Sequence, residues 1–147
     1  MTLGGVLSDQ ILRRTGSIAK ARVSVIVIGF LGSFVFMLPV LLIHDLFVIA
    51  ACLSLAFFFA ELIVAPIWAV PMDIAPRYAA SASGLMNFGF GVAGLVSPSS
   101  FGYLVDRTGS WVVPFAGSTL LLLLGATLAL RLQPDKPLTE AAMAAGQ

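Results

Sequence analysis

Apolar residues run along this chain in long unbroken stretches instead of alternating with polar ones. Residues 23–43 carry no ionisable side chain, 46–72 carry one, Glu61, and 78–105 and 108–130 carry none. A helix rises about 1.5 Å per residue and the hydrocarbon layer of a bilayer is about 30 Å thick, so about 20 residues cross it. Each of the four stretches is long enough, and the middle two are long enough to tilt. Lipid offers the backbone no hydrogen-bond partner, so a spanning segment must satisfy its own amides as a helix. Residues 120–124 are all leucine, apolar on every side, which removes the alternation of a membrane barrel strand. The pattern therefore predicts an all-α membrane protein of four antiparallel transmembrane helices over about 23–43, 46–72, 78–105 and 108–130. Short turns at 44–45, 73–77 and 106–109 force the neighbours to run antiparallel.

Composition agrees and narrows the classes. Of 147 residues 59% are hydrophobic and 10% charged, with a mean hydropathy of +1.04. A soluble domain carries about 25% charged residues, so a soluble enzyme, a nucleic-acid binder and a disordered tail are all excluded. Net charge is +1, too small to draw a polyanion. The single cysteine, Cys52, makes neither an internal disulfide nor a thiolate metal site. No Ser–His–Asp set, phosphate loop or metal-ligand cluster is present, so no enzyme chemistry and no cofactor is expected. Of the eight Lys and Arg, Arg13, Arg14, Lys20, Arg22, Arg77, Arg131 and Lys136 fall on one side of the spans and Arg107 on the other. That bias puts residues 1–22, the 73–77 turn and the C-terminus in the cytoplasm.

The flanks divide the chain further. Residues 1–7 are too short to span and read as the end of a truncated helix. They run into a charged cytoplasmic loop, so 1–22 form one region, 23–131 the four spans and 132–147 a cytoplasmic tail broken by Pro134 and Pro137. The loop holds Gly5, Asp9, Arg13 and Arg14: a glycine, an aspartate four residues later, then a basic pair. This resembles the signature between the second and third helices of each half of the major facilitator superfamily. Gln10 and Leu12 depart from it, standing where a basic residue and a glycine are usual. At a helix end a carboxylate such as Asp9 either caps a neighbouring helix and pairs with an arginine, clamping the cytoplasmic side shut, or is a solvated charge that fixes orientation.

Two further segments resemble the anion:cation symporter branch of that superfamily, which includes sugar-acid, phthalate and vesicular glutamate transporters. Trp68, Pro71, Asp73 and Pro76 match the end of its tenth helix. The run from Ser81 through Asn87, Gly91, Gly94 and Pro98 to Asp106, Arg107 and Trp111 matches its eleventh helix and the loop after it. The resemblance implies the C-terminal third of a twelve-helix transporter, helices nine to twelve, in an inner membrane. Its implied partners are lipid, a small organic anion, a proton and the missing N-terminal helices. It also implies that Trp68 and Asn87 belong to a substrate pocket.

The residues themselves allow several roles. An asparagine amide hydrogen-bonds a carboxylate or a hydroxyl and an indole offers a flat apolar face with one N–H. Asn87 and Trp68 thus suit a small hydroxylated anion, or equally a helix–helix hydrogen bond and a packing residue. No arginine lies within a span, so the cationic partner of an anion would come from the absent helices. Glu61, the sixteenth residue of its stretch of 27, lies near mid-membrane, where a charge costs about 2.5–3.5 kcal/mol. It is either a proton-coupling carboxylate or an interhelix hydrogen-bonding group. With Ala65 and Trp68 it follows the spacing i, i+4, i+7, so the three are expected on one face. The glycines of 78–105, with Ser81, Ala93 and Ser97, predict close helix packing, and Pro98 a bend. Three functional readings follow: a third of a proton-coupled organic-anion symporter that does not transport alone, a self-standing four-helix dimeric proton/drug exchanger using Glu61, or a membrane fragment with no activity.

Overall fold

The computed structural model describes residues 2–43 and 45–132. His44 and nearly all of the expected tail, Lys136 included, lie outside the described residues. Among the described residues the elements are five α-helices: α1 (Thr2–Thr15), α2 (Ile18–Leu42), α3 (Leu46–Ile74), α4 (Ala79–Thr108) and α5 (Val112–Ala129), with a 3-10 turn at Pro76–Tyr78 leading into α4. The four from α2 onward are long and apolar enough to cross a membrane. The protein is an all-α membrane protein.

The helix ends are set by local chemistry that the apolar pattern does not carry. Helix α2 begins five residues before the hydropathic boundary because the Ser17 hydroxyl caps it, accepting from the Lys20 N–H at 3.2 Å. Lys20 and Arg22 thus lie in the first turns of the helix. The Asp45 carboxylate caps α3 by accepting from the N–H groups of Phe47 at 2.9 Å and Val48 at 3.1 Å. Two glycines supply left-handed stops. Gly16 (φ +66°) ends α1, donating to the Leu12 carbonyl, and Gly109 (φ +64°) ends α4, donating to Val105. Because α4 runs on to Thr108, α5 starts at Val112 and not at 108.

The expected loop is helical. Residues 4–15 contain no proline, and the paired Gly4 and Gly5 do not break α1 because they press it against α3. A side chain at Gly4 would run into the Leu62 backbone, and one at Gly5 would touch the Ala65 methyl. Helix α1 therefore lies across both α2 and α3.

The most extensive packing joins α2 to α3. Gly29 and Gly32, one turn apart, take the side chains of Ile63 and Phe59 where any Cβ would collide with them. The rings of Phe36 and Phe59 stack at 5.5 Å, and the buried Ser33 hydroxyl donates to the Ala56 carbonyl at 2.9 Å. Ile26, Ile63, Val70 and Ala129 form the core, which draws α5 onto α2. Helix α4 departs from expectation. None of its residues is buried, and Gly84, Gly89, Gly91, Gly94 and Gly102 have no described residue within 4 Å of a side chain placed there. It touches α3 and α5 only lightly and leaves a gap of about 780 Å³ beside α5. The small residues of α4 thus meet no close neighbour among the described residues. Small side chains permit close approach, but the sequence does not say to which helix.

This contrast is testable by copper-catalysed crosslinking between cysteines at Ser33 and Ala56, with Cys52 changed to Ala. Gly29→Leu is expected to reduce the crosslink severalfold, whereas Gly94→Leu leaves it unchanged.

Candidate functional site

Two sites grow out of α3, one on each side of Pro71. The first is a charge cluster at its C-terminal end. Arg22, one turn into α2, donates from Nε to the Asp73 carboxylate at 3.1 Å and from Nη1 to the Ser8 hydroxyl at 3.0 Å and the Asp9 carboxylate at 3.3 Å. One guanidinium therefore ties α1, α2 and α3 together. The Arg22 side chain is 14% exposed and that of Asp73 20%, while Asp9 is 62% exposed. The pair with Asp73 is shielded and the pair with Asp9 is open to screening, so the first carries most of the energy. Ser8 is fully buried and has its hydrogen bond only through Arg22 among the described contacts.

The motif residues fall differently from the sequence expectation. Asp9 does pair with an arginine, but with Arg22; Arg13 and Arg14 are exposed in the last turn of α1, where cations complement the helix dipole. The N-cap of α2 is Ser17 and not Asp9. Gly5 acts as a contact surface against Ala65. Arg22 and Asp73 were missed as partners because 51 residues separate them. The one available hint was that each is a charge at the margin of an apolar run on the same side of the membrane.

The second site is a cavity of about 380 Å³ bounded by α2, α3 and α4. Trp68 and Asn87 both line it, with Phe30, Ile63, Ile67 and Phe90 among the other walls. The structure thus brings the two expected pocket residues together. The Phe90 ring stacks on the Trp68 indole at 6.2 Å with 29° between the planes. Asn87 lies eight residues into α4, about 12 Å along the helix, and Phe30 and Ala60 of the same cavity stand near the middle of α2 and α3. The walls are apolar apart from the Asn87 amide and the Trp68 N–H, an arrangement that orients a ligand by few polar groups. Phe30 and Phe90 were not distinguishable in sequence, where eleven phenylalanines serve equally as lipid contacts.

Glu61 stands apart from this cavity. It is an exposed residue of α3 and does not line the space beside Trp68 and Asn87, although its neighbour Ala60 does. The expected common face divides: Ala65 turns toward Gly5 of α1 while Trp68 faces α4. The spacing i, i+4, i+7 holds for a straight stripe, but a stripe that spans two turns meets different neighbours when helices cross.

Comparison with known proteins gives the lineage. A protein of Cupriavidus necator named "Probable sulfoacetate transporter" is 50% identical over 133 residues, which is 90% of this chain and 31% of the relative. A "Probable galactarate/D-glucarate transporter" of Escherichia coli is 41% identical over 110 residues, 74% of this chain and 24% of that protein. The chain belongs to the anion transporters of the major facilitator superfamily. A more distant member, "Probable anion transporter 4, chloroplastic" of Oryza sativa, is 26% identical over 126 residues and 21% covered. The chain spans about a third or less of the length of these superfamily relatives. No family model and no solved structure matches it.

Removing the Arg22 guanidinium leaves Asp73 and the buried Ser8 without their donor, a loss of about 1–3 kcal/mol for such groups. With Cys52 changed to Ala, a cysteine placed at Ser8 is expected to react slowly with a maleimide. Adding Arg22→Ala raises that rate roughly tenfold or more, as about 1.4 kcal/mol of packing is lost for each tenfold. Arg22→Lys, which keeps the charge but not the fork of donors, falls between.

Proposed function

We propose that this chain supplies the C-terminal third of a proton-coupled symporter for a small organic anion, such as a sugar acid, in a bacterial inner membrane. The observation that carries the reading is the meeting of Trp68 and Asn87, from different helices, on one cavity of about 380 Å³. The names of the superfamily relatives, which include a sulfoacetate and a galactarate/D-glucarate transporter, support the substrate class. In this reading the indole face packs against the carbon backbone of the anion and the Asn87 amide bonds a hydroxyl or carboxylate. The cation that neutralises the substrate comes from the remaining helices. Transport proceeds by rocking of two halves about a site near the midplane.

Glu61 is the proton-coupling carboxylate in this scheme. It is the only acid in the interior of a span, and a carboxylate in hydrocarbon is costly when charged. A group protonated in one state and released when water reaches it is the simplest way to link a proton to the cycle. Gly5, Asp9, Arg13 and Arg14 belong to the gate on the cytoplasmic side, with Arg22 and Asp73 as its latch. The bias of Lys and Arg toward the α1 end supports a cytoplasmic placement of that end and of the C-terminus.

Four helices from one half do not enclose a midplane site. Reconstituted alone in proteoliposomes, this polypeptide is expected to give no proton-driven uptake of galactarate or sulfoacetate; robust uptake would contradict the proposal. Co-reconstituted with the first eight helices of a related carrier, it should restore uptake. There Asn87→Ala should weaken the apparent affinity about 10- to 100-fold, from the loss of one charge-assisted hydrogen bond of about 1.5–3 kcal/mol. In the same assembly Glu61→Gln should abolish acceleration by an inward proton gradient. Unchanged proton dependence would reduce Glu61 to a packing role.

A further inference from the structure

Helix α5 contributes nothing to the walls of the Trp68–Asn87 cavity, which come from α2, α3 and α4. Yet one of those walls is held by α5. The Phe30 ring of α2 lies against Gly125: a Cβ there would stand 2.7 Å from Phe30 Cε1 and 2.8 Å from Cζ. Real carbon atoms do not pack so closely, so the ring occupies the space that a side chain at 125 would fill. Phe30 also packs on the core formed by Ile26, Ile63, Val70 and Ala129. The ring thus meets α5, the core and the cavity together, and any space taken from it on the α5 side has to be found elsewhere around it.

We propose that Gly125 and Phe30 form a size gauge for this cavity. The missing side chain on α5 lets the Phe30 ring withdraw from the space beside Trp68 and Asn87, and so sets how long an organic anion the cavity admits. A methyl group at position 125 pushes the ring into the cavity, because the ring is the free end of its side chain and the core on its other side is close-packed. Gly125 is then a positioning residue that acts through Phe30 and touches no ligand. The specificity part of the inference rests on the reading that the cavity receives substrate; the geometric part does not.

The test uses the purified chain in lipid nanodiscs with Trp111→Phe, which leaves Trp68 as the sole tryptophan. Quenching of its fluorescence by acrylamide reports entry of a small neutral molecule. Gly125→Ala is expected to lower the quenching constant at least twofold, and alanine is a better helix former than glycine, so the helix itself is not weakened. Adding Phe30→Leu should restore the constant, and Phe30→Ala with Gly125 intact should raise it. An unchanged constant in Gly125→Ala, or no recovery with Phe30→Leu, overturns the gauge.

The second arm titrates the same variants, each co-assembled with the first eight helices of a related carrier whose tryptophans are changed to Phe, with galactarate and with sulfoacetate. Gly125→Ala should weaken the six-carbon anion relative to the two-carbon one at least fivefold, and Phe30→Leu should reverse the change. If both anions bind and their ratio does not move, the specificity role is overturned. If neither anion perturbs Trp68 while the acrylamide series behaves as stated, the substrate reading and the specificity claim fall and the geometric gauge stands.

Discussion

The close seam between α2 and α3 is the contact on which the rest of the architecture depends. In lipid, apolar side chains gain nothing by leaving water, so helices associate through tight packing and a few hydrogen bonds. Gly29 and Gly32 provide the tight packing by accepting Ile63 and Phe59 into the space where their own side chains would be. Ser33 and Ala56 add a buried hydrogen bond at the same level. With α2 and α3 fixed, Arg22 comes within reach of Asp73, Phe30 and Trp68 come to line one cavity, and α1 and α5 find surfaces to lie on.

Helix α3 carries both the charge cluster and the cavity. Asp73 and Trp68 are five residues apart with Pro71 between them, and Pro66 lies half a turn before Trp68. Each proline removes an N–H from the helix ladder and makes the helix easier to bend at that point. The ion pair at Asp73 and the indole at Trp68 are thus mounted on a segment less stiff than the one before it. Arg22 reaches this segment with a fork of donors, which holds position better than a single ammonium would.

Helix α4 gives the opposite lesson. Its glycines and serines carry the composition of a packing helix, yet it is the one long helix without a buried residue. Its contact with the chain is limited to stretches such as Phe90 against Trp68 and Phe101 against Phe115, the latter ring pair edge-on at 5.9 Å. Such a helix gains little from its own chain, and α3 and α5 fix its place through a few aromatic contacts.

Some features were determined by the sequence alone. The length of the apolar stretches dictates four spanning helices, because hydrocarbon tolerates no unpaired amide and makes each charge costly. The distribution of Lys and Arg marks one end as distinct. Trp68 and Asn87 were singled out by the resemblance of their segments to a known family, and the structure puts both on one cavity. Other features belong to the crossing of helices. Arg22 meets Asp9 and Asp73 across three helices, Ala65 and Trp68 part to different neighbours despite their spacing, and Gly125 leaves room for a ring of another helix that lines the cavity. A linear pattern records which side of a helix a residue occupies; only tertiary packing supplies the neighbour on that side, and in a chain this uniformly apolar many neighbours fit the pattern equally well.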